Sequence, residues 1–137
     1  ATITLALAPV QTGLGTPGAW LIATIGFTND YEQADQDDPD GDGQPTWMEY
    51  RAGTDPRDNR SRFAILSLDR WEGSNRIRWY GTTNSGAHTP FTLDRTESLA
   101  TVDWRAIATN LPRHPSGTNT WFDTNQTSRA FYRIFIP

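Results

Sequence analysis

The spacing of hydrophobic residues changes along the chain, and this change predicts helices in the first half and strands in the second. Residues 1–9 alternate apolar with small side chains, so that Ile3, Leu5 and Leu7 share one face. A period of two predicts a half-buried strand, and the glycines and prolines that follow end it. We therefore interpret residues 1–14 as a strand followed by a linker.

Three short helices are predicted between residues 15 and 58, each from a start or stop signal. Pro17 stands where a first helical turn can lack an N–H, and Gly26 ends the apolar run behind it. Asn29 or Asp30 can cap the second helix, and Gly53 ends the third. The predicted helices cover residues 20–25, 31–34 and 47–52.

From about residue 62 onward, short aromatic and β-branched runs alternate with turn residues, which predicts strands. Turn compositions include Gly73-Ser74-Asn75. The predicted strands are Phe63–Leu68, Arg76–Tyr80, Phe91–Arg95, Val102–Ala108, Thr120–Asp123 and Ala130–Ile136. Strands this short and this closely spaced suggest an all-β sandwich or barrel, and we expect residues 59–137 to form an antiparallel β-sandwich. The expected fold class is mainly β, with a small helical motif ahead of the sheet domain.

Charge is concentrated in one part of the chain. Ten of the sixteen acidic residues lie between Asp30 and Asp58 with only two arginines, which gives that stretch a charge of −8 within a total of −4. Such a cluster needs a cation or strong solvation. The chain has no cysteine and no lysine, which excludes disulfides, thiolate zinc sites and Schiff-base chemistry.

The acidic stretch contains a metal-binding pattern. Between Asp38 and Glu49, aspartates occupy loop positions one, three and five, glycine position six and glutamate position twelve, as in an EF-hand calcium loop. Alternate side chains of a tight turn point inward, while Gly43 takes the backbone angles of the bend. Gln44 would add its carbonyl, and Thr46 a hydroxyl or a bridging water. We predict a Ca²⁺ site with the ligands Asp38, Asp40, Asp42, Gln44, Thr46 and Glu49.

Nearby residues refine this prediction. Pro45 stands at loop position eight, where paired EF-hands use a backbone N–H to bridge to the partner hand, and proline has no N–H. We therefore predict an unpaired, structural site. Asp55 is a candidate for an additional ligand or a cap, whereas we expect Asp35 and Asp37 to contribute charge without binding the cation.

The residues around the loop resemble a known module. They are Gly15–Leu21, Phe27–Asp30, Asp38–Gly43 and Glu49–Pro56. They are similar to the calcium motif, related to thrombospondin type 3 and dockerin loops, that recurs near the C-termini of large secreted bacterial proteins. The resemblance implies an extracellular, calcium-stabilised connector ahead of a β-rich end. Residues 91–95, 102–112 and 129–135 look like that end.

Tryptophan suggests an alternative function. Sugar-binding modules stack pyranose rings on exposed indoles, and the candidates for this role are Trp71, Trp79, Trp104 and Trp121. Core packing competes with this interpretation, because Trp79 and Trp104 alternate in phase with Ile77 and Ala106. The sequence leaves both interpretations open, so a carbohydrate-binding accessory module is the alternative function.

Catalytic patterns are weak. His88 and His114 lie in separate turn-like segments, and no Ser-His-Asp arrangement or phosphate-binding glycine loop is present. We expect no enzymatic activity, and the acidic total charge argues against nucleic acid as a partner. A run of about 18 apolar residues is absent, so we expect no membrane span. Ala1 opens without the pattern of a signal peptide.

These observations predict a secreted or cell-surface, non-catalytic module. Residues 15–58 would form the calcium motif, and Ca²⁺ would rigidify its junction with the β domain. The expected partners are neighbouring domains or subunits, with residues 1–9 as the candidate for strand addition to another subunit. Polysaccharide is the alternative partner.

Overall fold

The computed structural model describes residues 7–83, 85–87, 89–101 and 103–137. These residues form two compact units. The first comprises residues 7–62 together with 85–87, and the second comprises residues 63–83, 89–101 and 103–137. The first unit contains the helices, and the second contains the strands.

The helices of the first unit begin and end at local sequence signals. They are α1 (Gly18–Ile25), α2 (Tyr31–Gln36) and α3 (Thr46–Ala52). Pro17 precedes α1 and Gly26 follows it. Asp30 caps α2 by accepting a hydrogen bond from the Gln33 N–H, and Gly53 ends α3 in the left-handed conformation. The structure therefore has a helix at each of the three predicted positions, and α1 and α3 begin slightly earlier than predicted.

The predicted N-terminal strand falls mostly outside the described residues. Residues 1–6 are not among them, and residues 7–9 adopt no regular secondary structure. A tight turn follows, in which the Thr12 N–H donates to the Thr16 carbonyl at 2.9 Å. The Thr12 hydroxyl donates to the Asp35 carboxylate at 2.6 Å, which fixes this turn to α2.

The second unit contains two antiparallel sheets of three strands each. The strands are β1 (Ala64–Trp71), β2 (Ser74–Tyr80), β3 (Phe91–Thr96), β4 (Arg105–Leu111), β5 (Thr118–Asp123) and β6 (Phe131–Phe135). One sheet has the order β1-β2-β5 and the other β4-β3-β6. The prediction of a mainly β, antiparallel region is confirmed.

The turn between β1 and β2 differs from the prediction. We expected Gly73, Ser74 and Asn75 to form it, but Ser74 pairs with Trp71 at the end of the ladder. The connection consists of Glu72 (φ 47°) and Gly73 (φ 83°), and two residues with positive φ are what a type I′ hairpin requires. Ser74 and Asn75 are therefore strand residues.

The fourth strand begins and ends three residues later than the predicted Val102–Ala108. A turn precedes it, in which the Asp103 N–H donates to the Thr101 carbonyl at 2.7 Å. The strand continues to Leu111, which is buried in the core. Its ladder with β3 has two irregularities, so a strict period of two could not locate its ends.

Side chains from both sheets share one apolar core. Its buried members are Ile77, Trp79, Phe91, Leu93, Ala108 and Leu111. Trp79 of β2 meets Phe91 of β3 edge to face, with ring centroids 5.7 Å apart. Because these two rings come from different sheets, their contact holds the sheets together.

A polar network also joins the two sheets. Asp123 of β5 accepts hydrogen bonds from Arg95 of β3 at 2.9 Å and from the Tyr132 hydroxyl of β6 at 2.8 Å. Asn75 of β2 donates to the Tyr132 hydroxyl at 2.7 Å. Burial raises the pKa of Asp123, but hydrogen bonds from Tyr132, Asn125 and Arg95 outweigh that effect, and the pKa lies below its ordinary value.

We expect Asp123→Asn to destabilise the second unit at neutral pH by about 1.5–3 kcal/mol, the range for hydrogen bonds to a charged group. Because the folded-state pKa is depressed, the carboxylate stabilises the fold above the unfolded pKa of 3.8, and this contribution is lost as pH falls through the folded value. Urea unfolding should therefore show the gap between wild type and variant narrowing in acid. Asp103→Asn, on an exposed ion pair with Arg105, is the control. A gap independent of pH would contradict the prediction.

Candidate metal centre

Backbone hydrogen bonds shape the start of the acidic loop. Asp38 accepts the Gly41 N–H through Oδ1 and the Gly43 N–H through Oδ2, both at 2.8 Å. The two glycines have φ of 75° and 93°, a region that disfavours other residues. The hydrogen bond from Gly43 is the largest cause of the lowered pKa of Asp38, which favours the ionised carboxylate.

Three carboxylates converge in this loop. Asp38, Asp40 and Asp42 each offer one oxygen, and these oxygens lie within 4.8 Å of one another. The Oδ2 atoms of Asp40 and Asp42 are buried and have no hydrogen-bond partner among the described residues. Burial is the largest cause of the raised pKa of Asp40, and the charges of Asp42 and Asp38 add to it. Unpartnered, buried carboxylate oxygens are suited to coordinating a hard cation.

Glu49, in the first turn of α3, is the fourth predicted carboxylate ligand, and it is not a member of this converging group of three. It is 0% exposed, and its Oε1 accepts the Thr54 hydroxyl at 3.2 Å. Its Oε2 has no partner among the described residues. Burial raises the pKa of Glu49 to about 8, and the charges of the three loop aspartates contribute in the same direction. A buried carboxylate near like charges is unfavourable unless a proton or a cation neutralises it.

The loop and Glu49 are held in place by contacts within the protein. The N–H and the hydroxyl of Thr46 both donate to the Asp37 carbonyl, at 2.9 and 3.0 Å. Beyond α3, the N–H groups of Gly53 and Thr54 donate to the Glu49 carbonyl at 2.7 and 3.0 Å. Protein hydrogen bonds thus join the loop's two ends and position its last acid.

The remaining two predicted ligands have other contacts. The Gln44 N–H donates to Asp42 Oδ1 at 2.7 Å, and ligation by the Gln44 carbonyl stays a prediction. Thr46 is fully buried, and its hydroxyl proton is used by the Asp37 carbonyl. The hydroxyl oxygen of Thr46 keeps lone pairs that a cation or a bridging water can use.

The other acids near the loop lie outside the converging group. Asp35 is 0% exposed and is bound by the Thr12 hydroxyl. The Asp37 carboxylate accepts the Gln33 side-chain amide at 2.8 Å. Asp55 accepts a backbone N–H two residues further on, at 3.0 Å. Each of these acids therefore has a local hydrogen-bonding role.

Thr54 is a site residue to which the sequence analysis gave no role. It is buried and is the described donor to the Glu49 carboxylate. Its position directly after the glycine that ends α3 is a usable signal, because the chain there folds back over the last helical turn. A hydroxyl at that position can reach the helix that carries Glu49.

The tryptophans proposed for glycan stacking have different environments. Trp79 is 1% exposed and packs in the core, which leaves it no surface for a ligand. Trp121 is partly buried and packs against the same core. Of the two interpretations of the tryptophans, glycan stacking and core packing, core packing therefore applies to Trp79.

The other two candidate rings each have an arginine over one face. Arg76 lies over Trp71 at 4.4 Å from the ring centroid, and Arg133 lies over Trp104 at 4.8 Å. Trp71 is 47% exposed. A sugar would have to use the opposite face of either ring or displace the guanidinium, and glycan stacking on these rings stays a prediction.

The structure also bears on the two histidines and on the question of a membrane span. His114 is bound within its own turn, where its Nδ1 lies 2.7 Å from the Ser116 hydroxyl, and His88 is outside the described residues. Within the described ranges, no helix is both long enough and apolar enough to cross a bilayer.

Comparison of the chain with protein-family models, with curated proteins and with solved structures gave no match. The proposals that follow therefore depend on the geometry and chemistry of the chain itself, and on the resemblance of its loop.

Proposed function

We propose that this chain is a non-catalytic, calcium-stabilised structural module that works outside the cell or at its surface. Residues 38–49 act as a single EF-hand-like loop, and the two three-stranded sheets act as a β-sandwich. The bound cation rigidifies the helical unit and so the junction with the β domain. Neighbouring domains or subunits are the partners of such a module.

The observation that carries this proposal is the state of Glu49. Its side chain is 0% exposed, and one of its oxygens has no partner among the described residues. The charges of three nearby aspartates add to the effect of burial in raising its pKa. Burying such a group without compensation is costly. A divalent cation compensates the whole cluster at once, because it neutralises Glu49 and uses the free oxygens of Asp40 and Asp42.

The donor set favours Ca²⁺ over other cations. The candidate ligands offer only oxygen, which suits hard cations, and no thiolate is available in this chain. Mg²⁺ prefers strict octahedral geometry and keeps several waters, whereas Ca²⁺ accepts six to eight oxygens in flexible arrangements. Extracellular modules bind Ca²⁺ with dissociation constants of about 10⁻⁴–10⁻³ M, a range that the surrounding calcium can fill.

The site is proposed as an unpaired one. Pro45 precedes α3 with φ of −69°, and it offers no N–H for a bridge to a second loop. Among the residues that the structure describes, the three loop aspartates form the one group of three or more His, Cys, Asp or Glu side chains whose ligand atoms lie within 4.8 Å of one another. A lone loop suits a structural role.

Calcium should raise the thermal stability of the helical unit. At free Ca²⁺ 100-fold above the dissociation constant, linkage adds about 2.7 kcal/mol, and each kcal/mol moves the midpoint of a unit this size by about 4–8 °C. Calorimetry with Ca²⁺, with Mg²⁺ and with a chelator measures this shift.

The test variant and its control make the same Asp→Asn change inside and outside the loop. Asp40→Asn combined with Asp42→Asn should abolish the calcium response, whereas Asp58→Asn, an exposed acid paired with Arg60 outside the loop, should retain it. An unchanged melting profile after chelation of the wild-type chain would contradict the structural role.

A further inference from the structure

β5 is an edge strand with a regular ladder. Among the described residues it pairs with β2 alone, through six consecutive pairs without a register shift. The edge strands β1 and β4 carry register irregularities, which disturb further pairing, whereas β6 pairs with β3 over five residues without one. Alternate peptide groups of β5 point away from β2 and lack a strand partner.

A cleft of about 470 Å³ follows this edge. Its lining includes Thr118 and Thr120, and also Asn119 and Trp121, which alternate with them along β5. Alternate strand residues point to opposite faces, so a cleft lined by both sets must run along the edge of the strand. The segment of residues 112–115 supplies the opposite wall.

The cleft offers an apolar, largely uncharged surface. Its accessible apolar lining comes from the partly buried Trp121 and from Pro112 and Pro115, which are exposed, whereas Trp79 and Leu111 lie beneath the surface. The Arg113 guanidinium donates to the carbonyls of Thr82 and Thr89 at 2.8 and 3.0 Å, so these two N–H groups are already engaged within the protein. A matching occupant is therefore uncharged and has an apolar side chain toward this lining.

We propose that this cleft takes an extended strand, and that the strand is the segment of residues 1–9 of a second copy of the chain. The segment alternates Ile3, Leu5 and Leu7 with Thr2, Thr4 and Ala6, so it has one apolar and one small polar face. The chain carries no charged residue before Asp30. Six residues of this pattern match the six of β5, and the described Leu7 is 94% exposed and so available to a partner.

Strand addition fits this cleft better than a sugar does. Trp121 pairs with Ile77 across β2 and β5, so its ring belongs to the inward face of the sheet and is not an open platform. An added strand can hydrogen-bond to the outward peptide groups of β5, which have no strand partner among the described residues. Its alternate side chains can enter the apolar cleft. Binding of a glycan in this cleft is therefore the competing result that the experiments must exclude.

The test compares two charge substitutions on opposite faces of one segment. Light scattering over a concentration series should show association of the wild-type chain, as a closed dimer or as a growing series, since a head-to-tail contact can do either. Leu5→Asp should weaken association at least tenfold, because it places a charge on the apolar lining. Thr4→Asp, with the same charge on the other face, should associate much more strongly than Leu5→Asp.

A direct binding experiment uses the Leu5→Asp chain, labelled with ¹⁵N, as the receptor. A synthetic peptide of residues 1–9 should shift the amide signals of residues 118–121, and neutral oligosaccharides should not. A chain that stays monomeric at all concentrations, equal effects of the two variants, or shifts at these residues caused by oligosaccharides would each overturn the proposal. None of these outcomes involves calcium, so the calcium role is tested separately.

Discussion

Glu49→Gln should make the protein more stable than wild type in the presence of a chelator and less stable than wild type in calcium. This reversal of sign is the largest effect that we expect at the metal centre. Two separate physical effects of the same carboxylate cause it.

In the chelator, the variant avoids an unfavourable burial. Glu49 is 0% exposed, and its pKa is raised to about 8 from 4.5, so between these values folding must protonate a carboxylate that is ionised in the unfolded chain. A neutral amide of the same shape has no such requirement and still accepts the Thr54 hydroxyl. The variant's advantage should be about 1–2 kcal/mol and grow as pH rises from 4.5 toward 8.

In calcium, the variant loses a charged ligand. A carboxylate at loop position twelve can bind with two oxygens, whereas an amide offers one oxygen and no charge. We expect affinity to fall by about 100-fold or more, which corresponds to about 2.7 kcal/mol of binding free energy. At calcium concentrations that saturate only the wild type, the order of stabilities therefore reverses.

Urea unfolding of both chains, with calcium and with chelator, measures the four stabilities. Glu97→Gln is the matched control, because that carboxylate is exposed and lies 4.0 Å from Arg95 outside the loop. Its stability should change little in either condition. If Glu49→Gln were destabilising in both conditions, Glu49 would be a packing residue, and the calcium proposal would lose its main support.

Trp79→Ala should cost the β unit about 3–5 kcal/mol, a large share of the stability of a domain this small. Trp79 is 1% exposed and makes the edge-to-face contact with Phe91 between the sheets. Its indole Nε1 has no hydrogen-bond partner among the described residues, so the loss is one of packing. Trp79→Phe keeps most of the volume and should cost much less.

Denaturant midpoints and near-ultraviolet circular dichroism measure this effect. Trp71→Ala is the control, because that ring is 47% exposed and its main described contact is the Arg76 guanidinium over it. An exposed cation–π contact is worth about 0.5–1 kcal/mol. Equal losses in the two alanine variants would mean that Trp79 does not hold the sheets together.

Local signals in the sequence located the helices well. Pro17, Asp30 and Gly53 act through their own backbone and side chain, so their effects depend little on the rest of the fold. The strand ends were harder to locate. Glu72 has positive φ, a conformation uncommon for glutamate, and the pairing of Ser74 with Trp71 is decided by the register of the whole hairpin.

The candidate site likewise has features that the sequence could predict and features that it could not. Its acids could be read from their spacing, because a tight loop converts sequence position directly into direction. The complete burial of Glu49 and its contact with Thr54 could not be read from spacing, since both depend on how α3 packs and ends. The network around Asp123 could not be predicted from sequence patterns either, because its four members, Asp123 included, come from four different strands.

The hydrogen bonds that close the acidic loop have a consequence for what calcium can do. Asp38 is bound by two glycine N–H groups, and Thr46 is bound to the Asp37 carbonyl, without any contribution from a cation. We expect a loop defined in this way to keep one outline with or without a bound cation, so that a neighbouring domain would meet the same surface in both states. Calcium would then lengthen the lifetime of the folded loop against proteases while conveying no information about calcium concentration.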